Sequence, residues 1–185
     1  MKITPIADSD RLFSIENILP DNLVQQMLNL EWMKLPCERQ ADQEHWPRRK
    51  IITTSCLQLV QYTEIIDSQI TQIAGKINQP LGIGHTTWWL DEPGFHVPIH
   101  MDNVRLQSAM QMFWIAPGPD YGTAFYHSNN QKDIWNKFKF QANTGYIMVN
   151  QPKERVGDRP WHGMLNTLPD NTYRVTSYTN FVTWD

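Results

Sequence analysis

The spacing of apolar positions changes near residue 80. Upstream of it, Leu12–Leu19 reads as a strand, and Pro20-Asp21 opens a helix with Asp21 as its N-cap. Leu23, Met27, Leu30 and Lys34 mark that helix's face until Pro36 stops it. Residues 36–50 are polar, with two prolines and mixed charges, and read as a loop. A second helix is predicted from about Tyr62 to Ile77, where Ile66, Ile70, Ile73 and Ile77 keep a 3.6-residue period.

Downstream of Pro80 the helical period disappears. Short segments rich in aromatic and β-branched residues alternate with Gly, Pro and Asn: 83–90, 95–102, 106–115, 122–127, 133–140, 143–150, 159–166 and 172–183. Short strands so closely spaced point to a β-sandwich or barrel, and helices followed by strands suggest helices packed outside a sheet. The expected fold is mainly β with flanking helices (α+β), a barrel or jelly roll. Residues 1–185 are read as a single domain. Within it, 1–80 form an N-terminal strand and supporting helices, and 81–185 the β core.

Composition narrows the function. The chain has 185 residues, Lys+Arg 16 against Asp+Glu 19 and a net charge of -3, which disfavours non-specific nucleic-acid binding through phosphate neutralisation. No apolar run approaches the ~18 residues that span a bilayer. Asp8, Asp10 and Arg11 break any signal-peptide core after Lys2. The expectation is a soluble, cytoplasmic protein with no membrane segment, with Cys37 and Cys56 as reduced, buried small hydrophobes. Eight Trp is a high number, and Trp88, Trp89, Trp114, Trp135 and Trp161 fall in the β-rich region as core or rim aromatics.

The candidate chemistry lies in Trp88-Trp-Leu-Asp-Glu-Pro-Gly-Phe-His-Val-Pro-Ile-His-Met-Asp-Asn103. His100 and Asp102 form a His-x-Asp pair, and in extended chain residues i and i+2 share a face. Alone this is weak: 6 His and 19 acids in 185 residues give about 0.6 such pairs by chance. His162, in Pro160-Trp-His-Gly-Met164, and Arg174, in Tyr173-Arg-Val-Thr-Ser-Tyr178, add to it. Two His and one carboxylate on a β-scaffold make a facial triad suited to non-haem Fe(II), with three coordination positions open. Arg174 offers a planar fork for a carboxylate, and Thr176 a hydroxyl on the same face.

His-x-Asp, a distant His, then Arg-x-Thr resembles the 2-oxoglutarate/Fe(II)-dependent dioxygenase superfamily, in particular its small prolyl-hydroxylase-like members. Gly94-Phe95, Gly122-Thr-Ala-Phe125 and Asn143-Thr-Gly-Tyr-Ile-Met-Val149 are similarly placed, and the resemblance covers about residues 85–183. It implies a double-stranded β-helix, with His100, Asp102 and His162 as metal ligands and catalytic residues. It also implies that Arg174 and Thr176 bind the co-substrate's distal carboxylate. Fe(II), 2-oxoglutarate and O2 are the implied partners, with ascorbate as reductant. A tyrosine that many members carry before the His-x-Asp is replaced here by Trp88 or Trp89.

Each residue has a plainer alternative. His100 and Asp102 can be a surface polar pair, His162 an interface histidine, and Arg174 a strand arginine with a nearby acid. Gln111 either faces the pocket or is an edge-strand amide. His96 sits four residues before His100, but Pro93, Gly94 and Pro98 preclude the helix that spacing would need. His45, His85 and His127 lack a ligand-like context. Arg48-Arg-Lys50 reads as a solvated face or a substrate-steering patch. The resemblance implies hydroxylation of a substrate (peptide side chain, amino acid or small metabolite) with release of succinate and CO2. The rivals are a cupin-like metalloenzyme without a keto acid and a non-enzymatic β-sandwich binding module. The primary substrate and the oligomeric state are not specified by the sequence.

Overall fold

The computed structural model describes residues 1–6, 9–41, 44, 46–82, 84–102, 108–149 and 160–181. Eleven strands and two α-helices are present among them. They are β1 (Lys2–Pro5), β2 (Leu12–Glu16), α1 (Asp21–Leu28), β3 (Cys37–Arg39), β4 (Arg49–Ile52), α2 (Leu57–Ile77), β5 (Gly84–Asp91), β6 (Ser108–Ile115), β7 (Thr123–Tyr126), β8 (Ile134–Phe138), β9 (Thr144–Val149), β10 (Trp161–Met164) and β11 (Arg174–Phe181).

An eight-stranded sheet runs β1-β2-β9-β6-β11-β5-β4-β3, and a three-stranded sheet runs β10-β7-β8. Every described pairing between named strands is antiparallel. The sheets face each other across Phe113, Phe125, Phe140, Tyr146 and Met148, which form the inner core. No closed barrel forms among the described residues, so the architecture is a jelly roll of two facing sheets.

The helices cover the other face of the large sheet. α2 buries Leu59, Tyr62, Ile66, Ile73 and Ile77, and α1 buries Leu23 and Met27. Both join the core that holds Met110, Met112, Trp114, Ile147 and Val175. Trp32, Trp88 and Trp114 pack with Tyr62 in this layer, at centroid separations of 4.9–5.8 Å. Ser177 links them, accepting from Trp114 Nε1 and donating to the Tyr62 hydroxyl. Burial pushes the Tyr62 phenol up to about 12. These tryptophans are core, and no described tryptophan is exposed, which removes the main argument for a Trp-rich docking surface.

Several elements differ from the sequence reading. α1 ends at Leu28, and one 3₁₀ turn, Trp32–Lys34, buries Trp32 instead of prolonging the helix. Pro20, not Asp21, occupies the N-cap position. α2 starts at Leu57, because Leu59 continues its buried stripe, and it ends at Ile77, capped by Asn78 in the left-handed conformation. The polar segment 36–50 contains β3 and the start of β4, a hairpin on the sheet edge where charged residues suit solvent. Residues 95–102 are not a regular strand. Gly94 takes φ +78°, Pro98 has no N–H, and a single isolated β-bridge, His100 with His162, joins a few other backbone hydrogen bonds to residues 162–168. Cys37 and Cys56 are free but half-buried rather than buried. Among the described residues no helix is long and apolar enough to cross a membrane.

Candidate active site

His100 and His162 meet through backbone pairing between the 97–100 segment and β10. Each donates its N–H to the other's carbonyl at 2.9 Å, and Met164 N–H donates to Val97 O. Gly163 permits this approach: a Cβ there would stand 2.9 Å from the Val97 and Pro98 carbonyl oxygens. The two rings lie 4.4 Å apart, centroid to centroid.

The imidazoles are oriented alike. Nδ1 of His100 lies 2.9 Å from Pro98 O, and Nδ1 of His162 lies 3.2 Å from Pro160 O. A proton on each Nδ1 satisfies those carbonyls and leaves each Nε2 lone pair facing Asp102. Asp102 Oδ1 sits 3.6 Å from His100 Nε2 and 3.5 Å from His162 Nε2. One donor atom from each residue falls within 4.8 Å of the others, so a cation can touch all three. Two neutral imidazoles and a carboxylate suit a first-row divalent metal such as Fe(II).

Electrostatics agree with cation binding. Burial raises the Asp102 carboxyl pKa, but His162, His100 and Tyr178 outweigh it and hold the group ionised far below the usual range. Burial lowers the His162 pKa, whereas Asp102 raises it more, leaving it above its ordinary value. The Tyr178 hydroxyl donates to Asp102 Oδ2 at 2.7 Å.

A cavity of about 630 Å³ opens from this triad between the sheets. Arg174, Thr176 and Tyr178 share one face of β11, as period-2 alternation requires, and of these Arg174 and Tyr178 line the cavity. Arg174 is 1% exposed, and its fork is partly occupied: Nε and Nη2 donate to Asp91 Oδ2 at 2.9 and 2.7 Å, and Nη1 to Tyr121 O. The acid partner is thus present, but in the interior and not on the surface. Thr176 is fully buried and accepts from Gln111 Nε2 at 3.5 Å.

Gln111 faces the cavity from the middle of β6. Its Oε1 accepts from Thr123 and from Tyr146, at 3.0 and 2.8 Å. Trp88 points into the helix-side core, while Trp89, one residue on, lines the cavity and stacks on Tyr178 at 4.8 Å. His85 and His127 are exposed and stand apart from the triad, and His45 and the 151–159 loop lie outside the described residues. The sequence reading missed Asp91 and Tyr178, both reachable by counting every second residue from Trp89 and Thr176. Arg49 was read only as part of the Arg48-Arg-Lys50 solvated or substrate-steering patch, with no periodic signal of its own. Arg49 is 4% exposed and lines the cavity between half-buried Lys50 and exposed Arg48.

Two facing antiparallel sheets with a His-Asp-His cluster between them make a jelly roll whose interior can hold a metal ion. Similar folds are seen among solved structures. A prolyl-4-hydroxylase from Pseudomonas putida superposes with TM-score 0.68 at 13% identity, covering 94% of this chain and 93% of its own. HygX from Streptomyces hygroscopicus, with nickel and 2-oxoglutarate bound, gives 0.64 at 9% identity over 94% and 83%. A viral collagen prolyl hydroxylase from Paramecium bursaria Chlorella virus-1 gives 0.57 at 12% identity over 96% and 98%. The chain shares the fold of these proteins. No protein-family model and no curated protein sequence matches it.

Proposed function

We propose that the protein is an Fe(II)- and 2-oxoglutarate-dependent dioxygenase that hydroxylates a substrate with release of succinate and CO2. The observation that carries this reading is the convergence of His100 Nε2, Asp102 and His162 Nε2 at a cavity that also exposes Arg174. His100, Asp102 and His162 would hold the metal and leave three positions open. Fe(II), when bound, supplies the redox chemistry that couples decarboxylation of a keto acid to oxygenation. Arg174 would hold the distal carboxylate of 2-oxoglutarate through the two of its five N–H bonds not taken by Asp91 and Tyr121. Thr176, fully buried on the same face of β11, supports that wall through Gln111. The aromatic walls around Trp89, Tyr146 and Tyr178 keep water from the reacting centre. O2 is the second co-substrate, and the bound 2-oxoglutarate and nickel of HygX show what its own jelly roll accommodates.

The test needs no primary substrate. Purified protein with Fe(II), ascorbate and 2-oxoglutarate should form succinate slowly in air and not under nitrogen, with N-oxalylglycine blocking it. Asp102→Ala controls for free iron. Equal succinate from wild type and Asp102→Ala, with no 2-oxoglutarate binding by calorimetry, sinks the reading.

A further inference from the structure

Arg49 reaches the cavity from outside the β core. It lies on β4, paired with Asp91 of β5, and its guanidinium packs on the rings of Trp89, Phe95 and Trp46, 4.0, 4.5 and 5.5 Å from their centroids. With aromatic rings packed against it, its hydrogen bonds run in the guanidinium plane. There Nε and Nη2 donate to Asp91 Oδ1 and Oδ2 at 2.7 and 3.1 Å.

Asp91 is fully buried and accepts from Arg49 and Arg174 together. Nη2 of Arg49 and Nη2 of Arg174 touch the same oxygen, at 3.1 and 2.7 Å, so they lie no more than 5.8 Å apart. One ligand carboxylate can accept from two nitrogens at that separation. Two guanidiniums this close repel each other, and the carboxylate between them is what holds both on one wall. Arg49 and Arg174 are also the only Arg or Lys among the described cavity-lining residues.

Arg174 alone has two N–H bonds to offer, whereas a carboxylate has about four acceptor sites. Building on the oxygenase reading, we propose that Arg49 is a second cationic residue of the co-substrate site. Asp91 is then the positioning residue that presents Arg49 and Arg174 as one unit to the distal carboxylate of the keto diacid. Both forks are ordered before the ligand arrives, which lowers the ordering cost of binding. The β3–β4 hairpin thereby completes a site whose other members come from the jelly roll.

The test compares 2-oxoglutarate with 2-oxopentanoate, in which a methyl replaces the distal carboxylate. Binding to Mn(II)-loaded protein without O2 is followed by calorimetry. Wild type should favour 2-oxoglutarate. Arg49→Gln should weaken 2-oxoglutarate by about ten- to a hundredfold, the scale of one charge-assisted hydrogen bond, while 2-oxopentanoate binds as to wild type. Arg49→Lys should fall between them. Asp91 keeps Arg174 as partner in Arg49→Gln, so the fold should persist. If that variant fails to fold, Arg49→Lys carries the same comparison. Equal losses for both acids, or undiminished preference for 2-oxoglutarate, overturn the role of Arg49 and leave the oxygenase reading standing. A wild type that binds neither acid defeats both.

Discussion

The phenol of Tyr178 donates to Asp102 Oδ2 at 2.7 Å, while Oδ1 of the same carboxylate faces Nε2 of His100 and His162. One oxygen is tied to the β11 wall, and the other is turned to the imidazoles. Tyr178 is stacked on Trp89, so its hydroxyl is fixed in turn. The carboxylate is therefore oriented before any cation enters.

Tyr178→Phe keeps the ring and removes the bond. Outer partners of metal ligands typically change metal affinity by about 10–100-fold, and a loss of that size is expected in a divalent-ion titration. Thermal unfolding should move little, since the ring packing remains. An unaltered titration would mean that the His pair alone fixes Asp102.

His100→Ala and Asp102→Ala should each abolish tight binding of one divalent ion per chain. Both should leave the fold intact, because the sheets are held by the Phe113–Phe125–Tyr146 core and the helix layer. Iron titration alongside thermal unfolding separates the two effects. Full affinity in either variant would displace that residue from the ligand set.

Gly163→Ala tests how the ligands are brought together. Its Cβ would press on the Val97 and Pro98 carbonyl oxygens at 2.9 Å, next to the His100–His162 bridge. The expected result is weaker metal binding with far-UV circular dichroism unchanged. Metal affinity equal to wild type would show that the 97–100 segment yields without moving His100.

Much of this site was legible because strands impose a period of two. Arg174 and Thr176 share a face by alternation alone, and the same count extends to Tyr178 and Asp91, whereas His100 and Asp102 converge on a segment that is no regular strand. Arg49 was not legible, since β4 is a short strand behind the β3 edge whose charges hide any period, and only pairing with β5 turns Arg49 inward. The contrast between Trp88 and Trp89 is a further case. Both suited a strand, but only the register with β11 decides which one faces the cavity. The 95–102 segment was read as a strand from its apolar residues, whereas Pro98 and Gly94 limit it to a bridge. That bridge is still enough to align the two histidines.

Asp91 also ties stability to pH. Burial raises its pKa, but Arg49 and Arg174 outweigh burial and hold the carboxyl below its usual range. The folded pKa is lower than the unfolded value of about 3.9, so the unfolded chain binds more protons in this range. The contribution is complete above about pH 4–5 and is lost as pH falls through the folded value; Asp102 acts with the same sign. His162 acts oppositely: its raised folded pKa gives stability below about 6.5 that fades as pH rises through the folded value. Urea midpoints of the metal-free protein should therefore be highest near pH 5–6, drop steeply below about pH 4, and decline gently on the alkaline side. Asp91→Asn leaves two buried guanidiniums without their carboxylate and should cost roughly 3–5 kcal/mol at neutral pH. Its acid limb should also be shallower, so that the variant and wild-type curves approach each other as pH falls. Parallel acid limbs would show that the charge of Asp91 is not what holds Arg49 and Arg174 together.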